Sequence, residues 1–418
     1  MYNTVFVIMI GVLLFGYLLE RILDFLNLKH TYPELPEELS GIFDPDEYKK
    51  SQLYKQDNTR FSFLTSSVST VAVLVVFLLG GFGWLDRWVS GHTSSYVVHV
   101  LLFFGILALV SDLLTTPFAI YDTFVIEERY GFNRTTARTF ILDKIKGWIL
   151  GAVIGGGLLA LITWIYMLTG QWFWIIALGA VTLFSIFLTM FYSNLIVPLF
   201  NKQTLLEDGS LRDRIERFAA GVNFRLDNIF VMDGSRRSSK ANAYFTGLGP
   251  KKRIVLFDTL ISDLEEQEIV AVLAHEVGHY KKKHTLSGQV ISFFQTALTL
   301  YLFSLFVGKD SFAVALGGTG ASFHLGLIAF GILYSPISTV LGIGMNLFSR
   351  RNEYQADRFA REHYDSEKLI SSLKVLSKKN LSNLTPHPAY VFVHYSHPPL
   401  LQRIRALRRQ DVPVQSFT

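Results

Sequence analysis

Seven apolar stretches alternate with charged segments along the chain, at roughly 4–19, 61–85, 97–120, 148–168, 172–200, 286–307 and 325–348. Each is close to or above the ~20 residues that carry a helix across the hydrocarbon core of a bilayer, so the pattern predicts seven transmembrane helices. No Asp, Glu, Lys or Arg occurs between Gly147 and Asn201, room for two spans in succession. The first stretch lacks a basic leader and a small-residue cleavage site before Glu20, and it reads as a retained anchor. Between the fifth and sixth stretches the pattern changes. Residues 229–232, 241–246 and 253–257 read as strands, and Gly247-Leu248-Gly249-Pro250 as the turn of a hairpin joining the last two. Ser262-Asp263-Leu264-Glu265 has capping-box spacing and opens a helix with apolar Ile269, Val270, Val272 and Leu273. The expected organisation is five spans over 1–200, a small α+β cytoplasmic domain over 201–285, spans six and seven over 286–349, and a cytoplasmic segment over 350–418.

Composition narrows the class. Half of the 418 residues are hydrophobic and 17% are charged, against roughly 25% charged in soluble domains. That excludes a disordered chain or a small disulfide-stapled one. The net charge of +5 is unevenly placed. Arg21, Lys29, Lys49, Lys50, Lys55 and Arg60 lie in the first loop, and Arg129, Arg134, Arg138, Lys144 and Lys146 in the third. The fifth loop and the tail are also basic, whereas the even loops hold only Arg87 and Lys309. Positive loops stay cytoplasmic, which puts the N-terminus outside and the C-terminus in the cytosol of a multi-pass membrane protein. No basic stripe interleaved with aromatics stands out, so the partner is the lipid bilayer and not nucleic acid. With no cysteine, any metal must be held by His, Asp or Glu. Within the spans, Gly151 and Gly155 suggest close helix packing. Asp112 calls for protein or a water-filled cavity beside it, and His324 is expected at the outer rim.

The chemistry concentrates in His275-Glu276-Val277-Gly278-His279. Two histidines four apart leave one helix face together and can hold one zinc ion, with Glu276 placed to take a proton from water. A catalytic zinc wants a third protein ligand and an open position. Glu353, just past the seventh stretch, is the best candidate, because spans six and seven run in opposite directions and their cytoplasmic ends meet. Asp357 lies one turn further and suits an acceptor for the free N–H of a ligating histidine.

These residues, with YKQDN at 54–58, IEERYGFN at 126–133, ANAYF at 241–245, NEYQAD at 352–357 and YSHPP at 395–399, make the chain resemble the type 1 CAAX prenyl protease family of integral-membrane zinc metalloproteases. The resemblance covers most of the chain. It implies seven helices around a large chamber, one Zn2+ per chain held by His275, His279 and Glu353, and Glu276 as base. It implies removal of the last three residues from a protein substrate prenylated at a C-terminal Cys. Asn242 falls where the family aligns its substrate on an edge strand. His397 either holds the oxyanion or substrate carbonyl, or is a tail histidine fixed by Pro398. Arg403 pairs with a carboxylate, structural or the substrate's own terminus. His284, His363, His387 and His394 read as surface or packing residues. The short 308–324 connection and the ending DVPVQSFT lack the longer insert and basic retrieval signal of many eukaryotic members. This points to a bacterial inner membrane, or to the endoplasmic reticulum if the chain is eukaryotic. Two other readings fit parts of the pattern: a quality-control protease indifferent to prenylation, and a seven-span transporter or receptor with a structural metal.

Overall fold

A computed structural model of the chain describes residues 3–30, 35, 37–39, 41–226, 229–246 and 253–408. The expected turn at 247–250 and the tail ending lie outside the described residues. Six helical runs are long and apolar enough to cross a membrane: Thr4–Lys29, Pro45–Leu78, Tyr96–Tyr130, Ala137–Phe200, His284–Phe306 and Phe323–His363. The 64-residue run Ala137–Phe200 contains both the fourth and fifth apolar stretches. It reverses at Gly170, whose φ of 56° and ψ of −130° end one helix, and helix Gly157–Thr169 packs against helix Phe173–Leu195. Large apolar side chains such as Leu79, Val153 and Leu183 stand exposed on these helices, as lipid-facing surfaces do.

Two details differ from the expectations, and a third, the protein surroundings of Asp112, agrees with them. The second helix stops at Leu78, because Gly80 takes a left-handed φ of 65° and turns the chain into helix Gly81–Ser90. Gly151 and Gly155 do not pack a neighbouring helix, since a Cβ at either would meet nothing within 4 Å. They belong to a wide π-helical turn, Gly151–Gly156. Asp112 faces protein, accepting from Lys144 Nζ at 2.8 Å and Trp148 Nε1 at 3.1 Å.

At one end of the bundle the loop after helix Asp310–Ala315 folds under helix Gly81–Ser90. Gly83 N–H donates to Leu316 O at 2.9 Å, and a Cβ on Gly83 would lie 1.9 Å from Gly317 O. At the other end sits a four-stranded sheet in the order β1-β2-β4-β3, with β1 Gln203–Leu205, β2 Ile229–Met232, β3 Ala243–Thr246 and β4 Arg253–Phe257. The β3–β4 pairing is antiparallel, and β2–β4 is parallel. One apolar core unites this sheet with Leu39 and Phe43 of the first loop, Leu273 and Val277 of helix Glu266–Lys281, and Phe359, Leu369 and Ile404 of the C-terminal segment. That helix is opened by a capping box of Glu265 and Glu268, one turn later than Ser262 predicts, because 258–263 form a short helix of their own.

A polar seam joins bundle and sheet. Tyr54 donates to Glu127, and Lys240 Nζ reaches Glu127 at 2.8 Å and Tyr54 at 2.9 Å. Asp57 accepts from Arg129 at 2.7 Å and Tyr130 at 2.8 Å. Arg237 forks onto Asp143 at 2.8 and 2.9 Å, and Ser239 N–H donates to Phe132 O at 3.0 Å. The blocks at 54–58 and 126–133 are thus the mount on which the chain segment leading into β3 is held.

The Gly83 contact yields a direct test. Gly83→Ala must push two backbones apart, and overpacking of this kind costs about 1–3 kcal/mol. It is expected to lower the melting temperature in detergent, whereas Gly105→Ala, with open space around it, leaves it unchanged. Equal melting temperatures for the two variants would contradict the packing described.

Candidate metal centre

The two motif histidines sit on helix Glu266–Lys281, most of whose inner face is buried, His275 included. The partner is helix Phe323–His363, which continues unbroken from its apolar part through Glu353 and Asp357. Gly278 sets their approach: a Cβ there would meet Ala356 Cα at 3.0 Å and Phe359 Cβ at 3.1 Å. At that spacing three ligating side chains converge. His275 Nε2 lies 3.1 Å from His279 Nε2 and 3.4 Å from Glu353 Oε2, and His279 Nε2 lies 3.2 Å from Glu353 Oε1. Zinc bonds of 2.0–2.2 Å in a tetrahedron separate ligand atoms by roughly 3.3–3.5 Å, so the set fits a metal. Glu353 is 3% exposed, and imidazole nitrogens of His275, His279 and His397 lie 2.9–3.4 Å from its two carboxylate oxygens.

Neighbouring groups aim both imidazoles. Asp357 Oδ1 lies 2.8 Å from His275 Nδ1, so that nitrogen donates and Nε2 keeps its lone pair for the metal. Arg403 forks onto Asp357 at 2.6 and 2.9 Å. Arg403 therefore holds a structural carboxylate and is not free for a substrate terminus. Burial works against its charge, but Asp357 outweighs burial and holds the guanidinium above its ordinary value. On the other side, His284 Nε2 meets Gln355 Oε1 at 3.1 Å, and His284 Nδ1 meets His279 Nδ1 at 2.9 Å. The amide oxygen accepts only, so His284 donates through Nε2 and accepts through Nδ1. His279 must then donate through Nδ1, which leaves its Nε2 bare toward the site. Expected as a surface or packing residue, His284 is buried here and orients His279. Spacing hides it, because Lys283 takes a left-handed φ of 58° and breaks the helical register between His279 and His284.

The remaining candidates are placed as follows. Glu276, half-buried beside the ligands, has no hydrogen bond or ion pair among the described residues. His397 Nδ1 lies 2.9 Å from Glu353 Oε2, and its side chain is 65% exposed. Its segment is anchored by the long helix: Asn346 donates to Val393 O at 2.7 Å, and Arg350 to Val391 O at 3.1 Å and to Tyr395 O. Asn346, Arg350, Glu353 and Asp357 thus act from one helix face. Asn242 is exposed at the start of β3, an edge strand that packs beside the motif helix.

Residues 24–202 match the model described as CAAX prenyl protease N-terminal, five membrane helices, and residues 205–411 match peptidase family M48. The chain is 35% identical to a CAAX prenyl protease 1 homolog of Arabidopsis thaliana, over 96% of this chain and 97% of that protein. It is 34% identical to the Homo sapiens homolog, over 90% and 89%. The crystal structure of S. mikatae Ste24p superposes with a TM-score of 0.93 at 33% identity, covering 98% of this chain and 100% of that one.

Two outcomes follow from the geometry. Burial disfavours a charged His275, but its hydrogen bonds to Asp357 and Glu353 outweigh burial and push the imidazole up to about 9. A cation at Nε2 must displace that proton, so binding is opposed below about pH 9 and the opposition fades as pH rises. Affinity for Zn2+ should climb about tenfold per pH unit between 6.5 and 8.5, as one displaced proton requires. Chelator competition measures it, and a flat profile would contradict the assignment. Separately, His284→Ala should weaken Zn2+ binding about 10–100-fold, while His363→Ala, stacked on Phe359 away from the ligands, leaves it unchanged.

Proposed function

The chain belongs to the type 1 CAAX prenyl protease family of M48 metallopeptidases, and from that membership we propose that it is a membrane zinc endopeptidase with one catalytic ion held by His275, His279 and Glu353. The observation that carries the proposal is the convergence of those three side chains, the two Nε2 atoms lying 3.1 Å apart and each 3.2–3.4 Å from an oxygen of the Glu353 carboxylate, with an uncommitted Glu276 next to His275. A bound zinc acts as a Lewis acid, polarising the scissile carbonyl and making water more acidic. Glu276 takes a proton from the attacking water as its oxygen bonds to the carbonyl carbon. It returns that proton to the amine nitrogen as the C–N bond breaks. His397, with Nδ1 2.9 Å from Glu353 Oε2, would donate Nε2–H to the developing oxyanion as the doubly protonated imidazolium. Asp357 and Arg403 act through His275 as positioning residues.

The substrate is a peptide laid along β3, where Asn242 opens a free sheet edge and main-chain hydrogen bonds add the peptide as a strand. The names of the relatives favour removal of the C-terminal tripeptide from a prenylated protein. The catalytic unit comprises 201–285 and 350–408, whose apolar residues share one core. We read the membrane part as seven spans, with the reversal at Gly170 dividing the 64-residue run in two. The basic odd loops support a cytoplasmic catalytic unit.

The test uses purified chain with a farnesylated peptide ending in a Cys-aliphatic-aliphatic-X sequence and its unmodified twin. Cleavage of the first, abolished by a chelator, supports the proposal. Equal turnover of both would favour a protease indifferent to prenylation. Glu276→Gln should keep its zinc and lose at least about a hundredfold in rate, and near-normal turnover by that variant would overturn the role of Glu276.

A further inference from the structure

A second convergence of metal-ligating side chains lies at the far end of the long helix. Asp86 of helix Gly81–Ser90, His99 of helix Tyr96–Tyr121 and His324 at the start of helix Phe323–His363 bring one ligand atom each within 4.8 Å of one another. His99 Nε2 lies 2.9 Å from Asp86 Oδ1, and His324 Nε2 lies 2.8 Å from the same oxygen. His324 is 1% exposed and His99 9%. His324, in the first turn of its helix, thus lies at the end of the bundle as expected, and is buried there. Residues 324 and 353 are 29 positions apart on one helix, roughly 44 Å at 1.5 Å per residue. That is about the full thickness of a bilayer with its headgroups, so this cluster and the catalytic ligands face opposite membrane surfaces.

Hydrogen bonding alone leaves the cluster incomplete. If both imidazoles are neutral, each donates its Nε2–H to the one Asp86 Oδ1. The carboxylate charge is then left in a largely enclosed site. The adjacent Arg87 does not neutralise it, because its guanidinium donates to Gly317 O at 2.9 Å. Two imidazole nitrogens and one carboxylate oxygen from three separate helices form a donor set that first-row divalent metals accept. An ion among them balances the carboxylate and takes up both Nε2 lone pairs.

We propose that Asp86, His99 and His324 form a second, structural site for a divalent transition metal, pinning three helices together at the membrane face opposite the protease centre. The site does not touch substrate and is independent of the proteolytic reading. The experiment loads untagged full-length protein in detergent with Zn2+, removes the excess and counts ions by mass spectrometry. Wild type should carry two per chain. Asp86→Asn and His324→Gln should each carry one and keep their proteolytic activity once zinc-loaded. Glu353→Gln, impaired at the other site, should still take up an ion at this one and gain melting temperature from it. Equal counts in wild type and both Asp86→Asn and His324→Gln would overturn the proposal. So would a Glu353→Gln protein that binds none. The last variant keeps the test decisive if the first two fail to fold.

Discussion

Gly278 brings helix Glu266–Lys281 so close to helix Phe323–His363 that a Cβ at this position would press on the Ala356 backbone at 3.0 Å. Everything at the metal centre depends on that approach. Zinc-type coordination tolerates errors of only a few tenths of an ångström in ligand position. Two ligands belong to one helix and the third to the other, so the interhelical distance is itself a coordination parameter. A methyl group at 278 would have to shift backbone atoms, because the nearest contacts are not the ends of flexible side chains.

The long helix carries the second half of the construction. It leaves the apolar part of the bundle without a break, and its length makes Glu353 a fixed point and not a loop residue. From one face it supplies Glu353 to the site and Asp357 to His275 and Arg403. From the same face Asn346 and Arg350 grip the carbonyls of helix Pro388–His394, so the His397 segment is positioned by the element that carries the third ligand. Ligands, their hydrogen-bond partners and the anchoring of the last segment share one rigid reference.

Much of this was legible in the sequence. Apolar length alone marked every membrane-crossing run, and two strands had the bounds read from alternation. The histidine pair followed from helical periodicity, and Glu353 from the antiparallel direction of two spans. What stayed hidden depends on contacts between distant segments or on local backbone geometry. The pairing of Tyr54 with Glu127 and Lys240 has no periodic signature, nor has the parallel register of β2 with β4. His284 was obscured by a left-handed residue that moves it out of helical phase. The glycines at 151 and 155 misled for the opposite reason: a spacing that often means close packing here accompanies a π-helical turn. Arg403 and His324 were visible as polar residues, but their partners Asp357 and Asp86 could be found only in three dimensions.

The central claim is that His275, His279 and Glu353 grip a single catalytic ion. Anomalous diffraction at the zinc edge, from crystals of full-length protein, tests it most directly. The account predicts a peak bonded to His275 Nε2, His279 Nε2 and a Glu353 carboxylate oxygen, at the roughly 2.0–2.2 Å of zinc–ligand bonds. Strong zinc density elsewhere, with Glu353 turned away from the two imidazoles, would contradict it.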